Sequence, residues 1–190
     1  MHHKFNVDHA EGLIAPDRYH ELKPDVLLQR LAVPPGHTLL DLGCGNGFFT
    51  FPAAAAMGDS GMVIAADSSP QMLDALQRRN PPDTVQVLLS EEVALDIEDA
   101  SVDAVVAISL YHELVNPLHN LTELKRIMKP DGRLMLVDWD PESKVEHGPR
   151  SSHRVLRGQA VSDLESAGFD ILTEEIYTDQ YWLIIASQSI

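Results

Sequence analysis

Three glycines and an acid lie close together where a hydrophobic run ends. Residues 39–50 read LLDLGCGNGFFT, with Asp41 just before Gly43, Gly45 and Gly47. A glycine-rich turn from a strand into a helix presents backbone N–H groups and the positive end of the helix dipole to a ligand, and glycine permits close approach. Because the Asp41 carboxylate would repel a pyrophosphate, the pattern favours a ligand with positive charge. A tight turn with a purely structural role is the alternative.

Further acids follow the next two predicted strands. Asp67 ends the run MVIAAD, about 20 residues after the last of these glycines, where an acid can accept from both hydroxyls of a ribose. Glu91 and Glu92 follow VQVLLS, and one of them could accept from an adenine amino group. Together these residues describe a nucleoside that carries an amino-acid cation instead of phosphates. S-adenosylmethionine is such a ligand, with its methionine part at the glycines and its positive charge beside Asp41.

A histidine is the best candidate for proton transfer. His112, in LYHEL, comes just past the fourth predicted strand, close to where the methyl group of that ligand should point. Histidine titrates in the range that a general base needs. A capping or packing role for His112 is the alternative, and Tyr111 beside it could line the pocket or pack in the core.

A looser set of potential metal ligands lies at or after the ends of the fourth and fifth predicted strands, namely His112, Asp138, Asp140, His147 and His153. Their spacing fits no ligand motif, so no metal is expected. Residues 137–154, which include most of this set, are long, polar and aperiodic, which is typical of an active-site loop. A solvated connection is the alternative.

The elements that must position these side chains alternate between short apolar runs and helical patterns, which is typical of a parallel sheet with crossover helices. The predicted strands are residues 38–42, 62–67, 85–89, 102–109 and 133–138. The predicted helices are residues 24–31, 48–57, 70–79, 116–128 and 159–167, with Ser69 as an N-cap and Pro70 as a first helical residue. The runs DILTEEIY and YWLIIAS are joined by TDQ, which is too short for a crossover helix, so they should pair antiparallel.

Composition limits the classes of partner. The 190 residues carry a net charge of −15, which opposes binding to nucleic acid or an anionic membrane. The first residues contain no apolar leader, and no apolar run approaches the length of a membrane span, so a cytoplasmic protein is expected. Cys44 is the single cysteine, which excludes an internal disulfide or a cluster of thiolates.

Five stretches, taken in order and with their spacing, match one known family: LLDLGCGNG, VIAADSSPQML, SEEVALDIEDASVDAVV, SLYHEL and RIMKPDGRLMLVD. Over residues 39–187 the chain resembles class I S-adenosylmethionine-dependent methyltransferases of the type-11 group, which also holds the ubiquinone and menaquinone enzymes. The resemblance implies an α/β, Rossmann-like, seven-stranded mixed sheet in the order 3-2-1-4-5-7-6, with the last strand antiparallel and helices on both faces. Asp131 departs from the family, which usually has a glycine there, and residues 154–161 lack the usual capped helix start.

The resemblance also implies which residues bind S-adenosylmethionine. These are Asp41, Gly43, Cys44, Gly45 and Asn46 at the methionine part, Asp67, Ser68 and Met72 at the ribose, Ser90, Glu91 and Glu92 at the adenine, and Ser109 under the sulfonium. His112 is the expected catalytic residue.

The expected function is in-line methyl transfer to a small-molecule acceptor, by a monomer or a homodimer. Residues 38–190 should form the methyltransferase domain and residues 1–37 a helical extension or lid, within one compact domain. A binding module without catalysis is one alternative. Another is a nicotinamide-dependent oxidoreductase, which Asp41 and the antiparallel last strand disfavour. The single cysteine argues against arsenite methylation, which needs several thiolates.

Overall fold

The computed structural model describes residues 12–90, 94–145 and 147–189, which form a single seven-stranded sheet with helices on both faces. The strands are β1 (Thr38–Leu42), β2 (Met62–Asp67), β3 (Val85–Leu89), β4 (Val102–Ile108), β5 (Met128–Trp139), β6 (Phe169–Ile176) and β7 (Tyr181–Gln188). The helices are α1 (Pro16–Leu22), α2 (Pro24–Leu31), α3 (Thr50–Met57), α4 (Pro70–Arg78), α5 (Pro117–Ile127) and α6 (Arg157–Ser166).

The strand order is β3-β2-β1-β4-β5-β7-β6, which confirms the predicted fold. The first five strands run parallel, while β7 pairs antiparallel with both β5 and β6. The carboxyl ends of the parallel strands therefore meet at one edge of the sheet. Because β7 is antiparallel, its first residue, Tyr181, lies at the same edge and pairs with Trp139 at the end of β5.

Apolar side chains cover both faces of the sheet. On one face, Leu22 of α1, Leu27 of α2 and Phe49 belong to a buried cluster with the central strands. On the other face, Leu124 of α5 packs in a cluster that contains Trp182 of β7. Strands β1 and β4 are almost fully buried, which explains their nearly continuous apolar sequences. The sheet is therefore buried between two apolar layers.

The structure differs from the predicted elements by one or two residues at several ends and by two larger changes. Helix α1 was not expected, because PDRYHEL is only seven residues long and has little apolar character of its own. Strand β5 begins at Met128 instead of Arg133, because residues 129–132 (KPDG) also belong to the strand. The pairing of β5 with β4 shifts its register along this part, between Val102 and Ala104. The predicted Ser69 N-cap is present, with the Met72 N–H donating to its hydroxyl at 3.3 Å.

In the described ranges, no helix combines the length and the apolar character that a bilayer crossing demands.

Candidate active site

A cavity of about 1170 Å³ lies at the carboxyl edge of the sheet, above the ends of β1, β2, β4 and β5. It is also bordered by α1, which crosses above this edge, and by Tyr181 at the start of β7. Pockets for one drug-sized ligand usually measure about 300–1000 Å³. The cavity is therefore large enough for two small molecules side by side.

The glycine loop joins β1 to α3 in a conformation that larger residues disfavour. Gly43 and Gly45 have φ angles of +69° and +55°. A Cβ atom on Gly43 would come within 2.8 Å of Leu110, so this glycine also has a packing role. A Cβ atom on Gly45 would lie 3.2 Å from Leu13, at the wall of the cavity. The positive φ angles and the short distances to neighbouring side chains both favour glycine at these positions. Because glycine has no side chain, the backbone of the loop is also open to a ligand.

Asp67 connects this loop to the start of α4. One carboxylate oxygen accepts from the Gly45 N–H at 2.8 Å, and the other accepts from the Ser69 N–H at 2.8 Å. A carboxylate has about four lone-pair directions, so two bonds leave acceptor capacity on the cavity side. The loop amides therefore orient Asp67 at the edge of the cavity where a ribose is expected.

Asp41 is a buried acid beneath the loop, with 2% of its surface exposed. Its carboxylate accepts a 2.6 Å hydrogen bond from the Thr50 hydroxyl. Burial raises the pKa of Asp41 to about 7; the bond from Thr50 and the charge of Arg18 lower it, and the nearby Asp67 raises it. Within the cavity wall this acid therefore changes charge near neutral pH, where a bound cation would favour its ionised form.

Most of the residues predicted to bind the cofactor border this one cavity: Asp41, Gly43, Cys44, Gly45, Asp67, Ser68, Met72, Ser90 and Ser109. Asn46 is not part of the cavity wall. It is buried in the loop, and its backbone carbonyl accepts a 2.7 Å hydrogen bond from Arg79. Glu91 and Glu92 lie outside the described residues. The cofactor roles of all these residues stay predictions.

His112 also borders the cavity and forms a pair with Asp138 at the end of β5. Its Nδ1 lies 2.8 Å from Asp138 Oδ1, and its backbone N–H donates to Oδ2 at 3.0 Å. Burial lowers the pKa of His112, but the charge of Asp138 and the bond to it outweigh burial, so that the pKa is raised overall. A histidine whose Nδ1–H is held by a carboxylate accepts protons at Nε2.

Two further candidates, Tyr111 and His147, lie within hydrogen-bond distance of other side chains. Tyr111 is not in the cavity wall, because its hydroxyl donates to Asp163 at 2.8 Å and its ring packs edge-on against Trp182. His147 Nε2 lies 3.0 Å from the Gln180 side-chain oxygen. Within the part of the chain that the structure describes, no three acidic, histidine or cysteine side chains form a group that could hold a metal.

The sequence did not reveal the positions of three residues in or behind the cavity wall, Asp138, Arg18 and Tyr181. Asp138 was considered only as a potential metal ligand, whereas it orients His112. Arg18 on α1 and Tyr181 on β7 both border the cavity, although they come from opposite ends of the chain. No local motif marks Arg18 or Tyr181, because only the strand order and the crossing of α1 bring them together.

Comparison with known proteins is consistent with this geometry. Residues 40–136 match a family model described as "Methyltransferase domain", of the type-11 group. A solved structure of a SAM-dependent methyltransferase from Aquifex aeolicus is 28% identical, with a TM-score of 0.91, and the match covers 96% of this chain and 98% of that chain.

Two curated relatives extend the comparison. An arsenite methyltransferase from Halobacterium salinarum is 32% identical over 151 residues, which are 73% of this chain and 39% of that protein. An uncharacterised 37.1 kDa protein in a Streptomyces fradiae transposon is 36% identical over 138 residues, which are 70% of this chain and again 39% of that protein. The chain therefore spans about two fifths of the length of these two relatives.

Proposed function

Because the chain belongs to the type-11 methyltransferase domain family, we propose that it transfers a methyl group from S-adenosylmethionine to a small-molecule acceptor bound in the same cavity. One observation carries the proposal. A single cavity borders the glycine loop, Asp41 and Asp67 on one side and His112 on the other, with Asp138 paired to His112 behind the cavity wall. That volume can hold the cofactor and a small acceptor next to each other, as in-line transfer requires.

The residues of the cofactor half suit S-adenosylmethionine. Asp67, fixed by two backbone N–H groups, would accept from the ribose hydroxyls, and Ser90 at the end of β3 would border the adenine. Asp41 would face the positively charged methionine part. When bound, S-adenosylmethionine supplies an already activated methyl group on a sulfonium. The protein then has to hold both reactants in line and exclude water.

His112 is the proposed general base for an acceptor that must lose a proton. Asp138 fixes the ring through Nδ1 and leaves Nε2 to take that proton. Asp138 is fully buried and also accepts from the Trp139 N–H at 2.7 Å, so the carboxylate is held by three protein groups. Its position supports a role in orienting His112, without contact to the acceptor.

The proposed arrangement also includes α1 and the residues before it as part of a lid, since residues 17, 18 and 21 of α1 and the preceding residues 13 and 15 border the cavity. A small acceptor suits a cavity of this volume, and the net charge of −15 disfavours a nucleic acid acceptor. A monomer or a homodimer would serve this chemistry equally well.

Calorimetry tests the cofactor half directly. S-adenosylmethionine, S-adenosylhomocysteine and NAD are titrated in parallel into the wild type, Asp67→Ala and Asp59→Asn. Asp59 is the matched control, since it is exposed and precedes β2 at the opposite edge of the sheet. We expect both adenosyl ligands to bind and NAD to be rejected. Asp67→Ala should weaken binding at least about tenfold, because charge-assisted hydrogen bonds are worth about 1.5–3 kcal/mol each before water compensates.

Unchanged affinity in Asp67→Ala would remove this residue from the ribose site. Binding of NAD in preference to both adenosyl ligands would overturn the proposed function. An acceptor screen that measures S-adenosylhomocysteine release then separates an enzyme from a binding module, because only an enzyme releases it in an acceptor-dependent manner.

A further inference from the structure

The connection from β3 to β4 contains no helix in residues 94–101, the part of it that the structure describes after Ser90. It has to pass β2 and β1 to reach β4, and such a connection between parallel strands usually carries a helix. Without a helix, its backbone N–H and C=O groups need partners elsewhere. The connection starts at Ser90, whose N–H donates to the Asp67 carbonyl at 3.0 Å and which borders the cavity where adenine is expected. Its position therefore shapes the base end of the cavity.

Two side chains of α5 hold this connection. The Leu95 N–H donates to the Glu123 carboxylate at 2.8 Å, and the Leu95 carbonyl accepts from Arg126 at 3.1 Å. Arg126 also donates to the Ile97 carbonyl at 2.9 Å and pairs with Asp99. Two further hydrogen bonds, of 2.7 and 2.8 Å, join Arg126 to Glu123. This bidentate, charge-assisted pair therefore fixes both backbone polar groups of Leu95 from one helix.

Asn120 lies one turn before Glu123 on the same face of α5, closer to the carboxyl edge of the sheet. The residue is 7% exposed and borders the cavity together with Leu95 and Glu123. Its Nδ2 donates to the Asn116 carbonyl at 2.9 Å, which fixes the orientation of the carboxamide, because only the nitrogen can donate. The carboxamide oxygen forms no hydrogen bond with any residue in the described ranges. Buried amide oxygens normally have a partner, so an unpaired one at a cavity wall indicates a ligand that donates.

We propose that α5 selects the base of the cofactor, through the Asn120 oxygen, which accepts a hydrogen bond from the 6-amino group of adenine. The Glu123–Arg126 pair positions the neighbouring wall at Leu95. This inference rests on the proposed function and adds the residues that determine its base specificity. Adenine has an amino donor at position 6, whereas hypoxanthine has a carbonyl acceptor there. That carbonyl would leave the Asn120 oxygen unpaired, and turning the carboxamide would break its bond to Asn116, so the site should reject a 6-oxo purine.

The surroundings of this wall suit a base better than a charged group. Leu95 and Leu124 belong to the same apolar cluster, and both border the cavity. The bond from Arg126 lowers the pKa of Glu123 and neutralises its charge, so Glu123 offers no unpaired charge to a ligand. A flat, neutral ring with one amino donor fits this combination. The proposed general base, His112, pairs with the end of β5 and so belongs to the other side of the cavity.

Calorimetric titration of S-adenosylhomocysteine and S-inosylhomocysteine, which differ at position 6 of the base, tests the inference. The variants are Asn120→Leu, which has a similar volume without the carboxamide, Asn120→Asp, which retains an oxygen acceptor, and Arg126→Gln. Gln77→Leu is the matched control for a carboxamide, because Gln77 is exposed on α4 and is not part of the cavity wall. Arg157→Gln is the control for an arginine that pairs with a carboxylate at the surface. Urea denaturation measures the stability of each variant separately.

The wild type and both controls should bind S-adenosylhomocysteine at least about tenfold more tightly than S-inosylhomocysteine, because a site built for a donor is left with an unpaired acceptor by the 6-oxo base. Asn120→Leu should reduce this ratio at least about threefold, and Asn120→Asp should retain most of it. Arg126→Gln should weaken binding of S-adenosylhomocysteine a few fold and lower the ratio, since Leu95 loses one of its two supports. A loss of stability alone leaves the ratio of the two affinities unchanged, so the ratio separates positioning from a purely structural role.

Equal affinity of the wild type for the two ligands would overturn the inference, and so would an Asn120→Leu variant that keeps the wild-type ratio. An Arg126→Gln variant that is less stable in urea but keeps both the affinity and the ratio would make the Glu123–Arg126 pair purely structural. Failure of the wild type to bind S-adenosylhomocysteine is a separate result, and it would reject the proposed function on which the inference rests.

Discussion

At the scale of single residues, three carboxylates at the same edge of the sheet have different tasks because their surroundings differ. Asp67 is held by two backbone N–H groups and remains half-exposed. Asp138 is fully buried and is paired with a histidine. Asp41 is buried, and the Thr50 hydroxyl is its one direct hydrogen-bond partner within the part of the chain that the structure describes. Burial with a single hydroxyl partner stabilises the charge of Asp41 poorly, and the pKa of this acid is raised to about 7.

The first residue-scale prediction concerns His112 and Asp138. Once an acceptor is found, His112→Ala should lower kcat by about 10²–10⁴-fold and leave cofactor affinity nearly intact, as is usual for loss of a general base. The base acts when neutral, so wild-type activity should rise with pH through a pKa above the ordinary value of 6.5. Asp138→Asn removes the charge that raises this pKa, so the rise should move to lower pH. His119→Ala, an exposed histidine on α5, is the control.

Measurement of kcat from pH 5 to pH 9 at saturating cofactor decides this point. Full turnover and an unchanged pH profile in His112→Ala would make the histidine structural. An Asp138→Asn profile at the wild-type position would show that Asp138 does not tune the base.

The second residue-scale prediction concerns Asp41 and the stability of the free protein. Its folded-state pKa of about 7 lies above the ordinary value of 3.8, so the folded state binds the proton more tightly than the unfolded state. The contribution of this acid to the free energy of unfolding therefore falls as pH rises from about 4 to about 7, and then levels off. Asp41→Asn should remove this slope, because the amide oxygen can still accept from Thr50 and carries no charge.

Urea denaturation at several pH values, with wild type and Asp41→Asn side by side, isolates this effect from that of all other acids. If the difference in unfolding free energy between the two proteins does not change between pH 5 and pH 8, Asp41 is not the titrating group.

At the scale of elements, the loop after β5 has little regular structure, and the side chain of Arg154 contacts it at several points. The Arg154 guanidinium donates to four backbone carbonyls, those of Asp140, Ser143, His147 and Pro149, at 2.9–3.4 Å. It also lies 5.3 Å from the centroid of the Trp139 ring. Loops without secondary structure need such partners for their backbone groups. This arginine therefore supports the part of the cavity wall that contains Trp139 and Gly148, where the acceptor is proposed to bind.

We expect Arg154→Gln to loosen this loop without disturbing the cofactor half. Amide hydrogen exchange in residues 140–153 should become faster, and the free energy of unfolding should fall by about 1–3 kcal/mol, since several hydrogen bonds from a charged donor are lost. Affinity for S-adenosylhomocysteine should be unchanged. Arg157→Gln, whose partner Glu174 lies at the surface, is the control. Exchange rates in the loop equal to those of the wild type would show that the loop is held by other contacts.

At the scale of the whole molecule, local sequence patterns were sufficient for the strands but not for their order in the sheet or for the complete cavity. Alternating apolar runs predicted the strands, and the LLDLGCGNG motif indicated the loop, because both depend on neighbours in sequence. The family resemblance supplied the strand order. Arg18 and Tyr181 escaped notice because their positions at the cavity depend on where α1 crosses the sheet and where the antiparallel β7 begins. Asp138 was noticed only as a potential metal ligand, since its pairing with His112 depends on the neighbouring carboxyl ends of β4 and β5.

The last prediction joins the titration of Asp41 to cofactor binding by the whole protein. A cation bound beside Asp41 favours the ionised carboxylate and lowers its pKa below about 7, so binding of S-adenosylmethionine should release a proton near neutral pH. Affinity should therefore increase from pH 6 to pH 8, by at most about tenfold per pH unit for one proton.

The free protein loses stability from Asp41 over the lower part of this range, so the rise in Tm caused by the cofactor should be larger at pH 8 than at pH 6. Calorimetry in two buffers of different ionisation enthalpy counts the released protons, and Asp41→Asn should reduce the count and flatten the pH dependence. Proton uptake, or equal affinity at both pH values in the wild type, would place the positive charge of the cofactor away from Asp41.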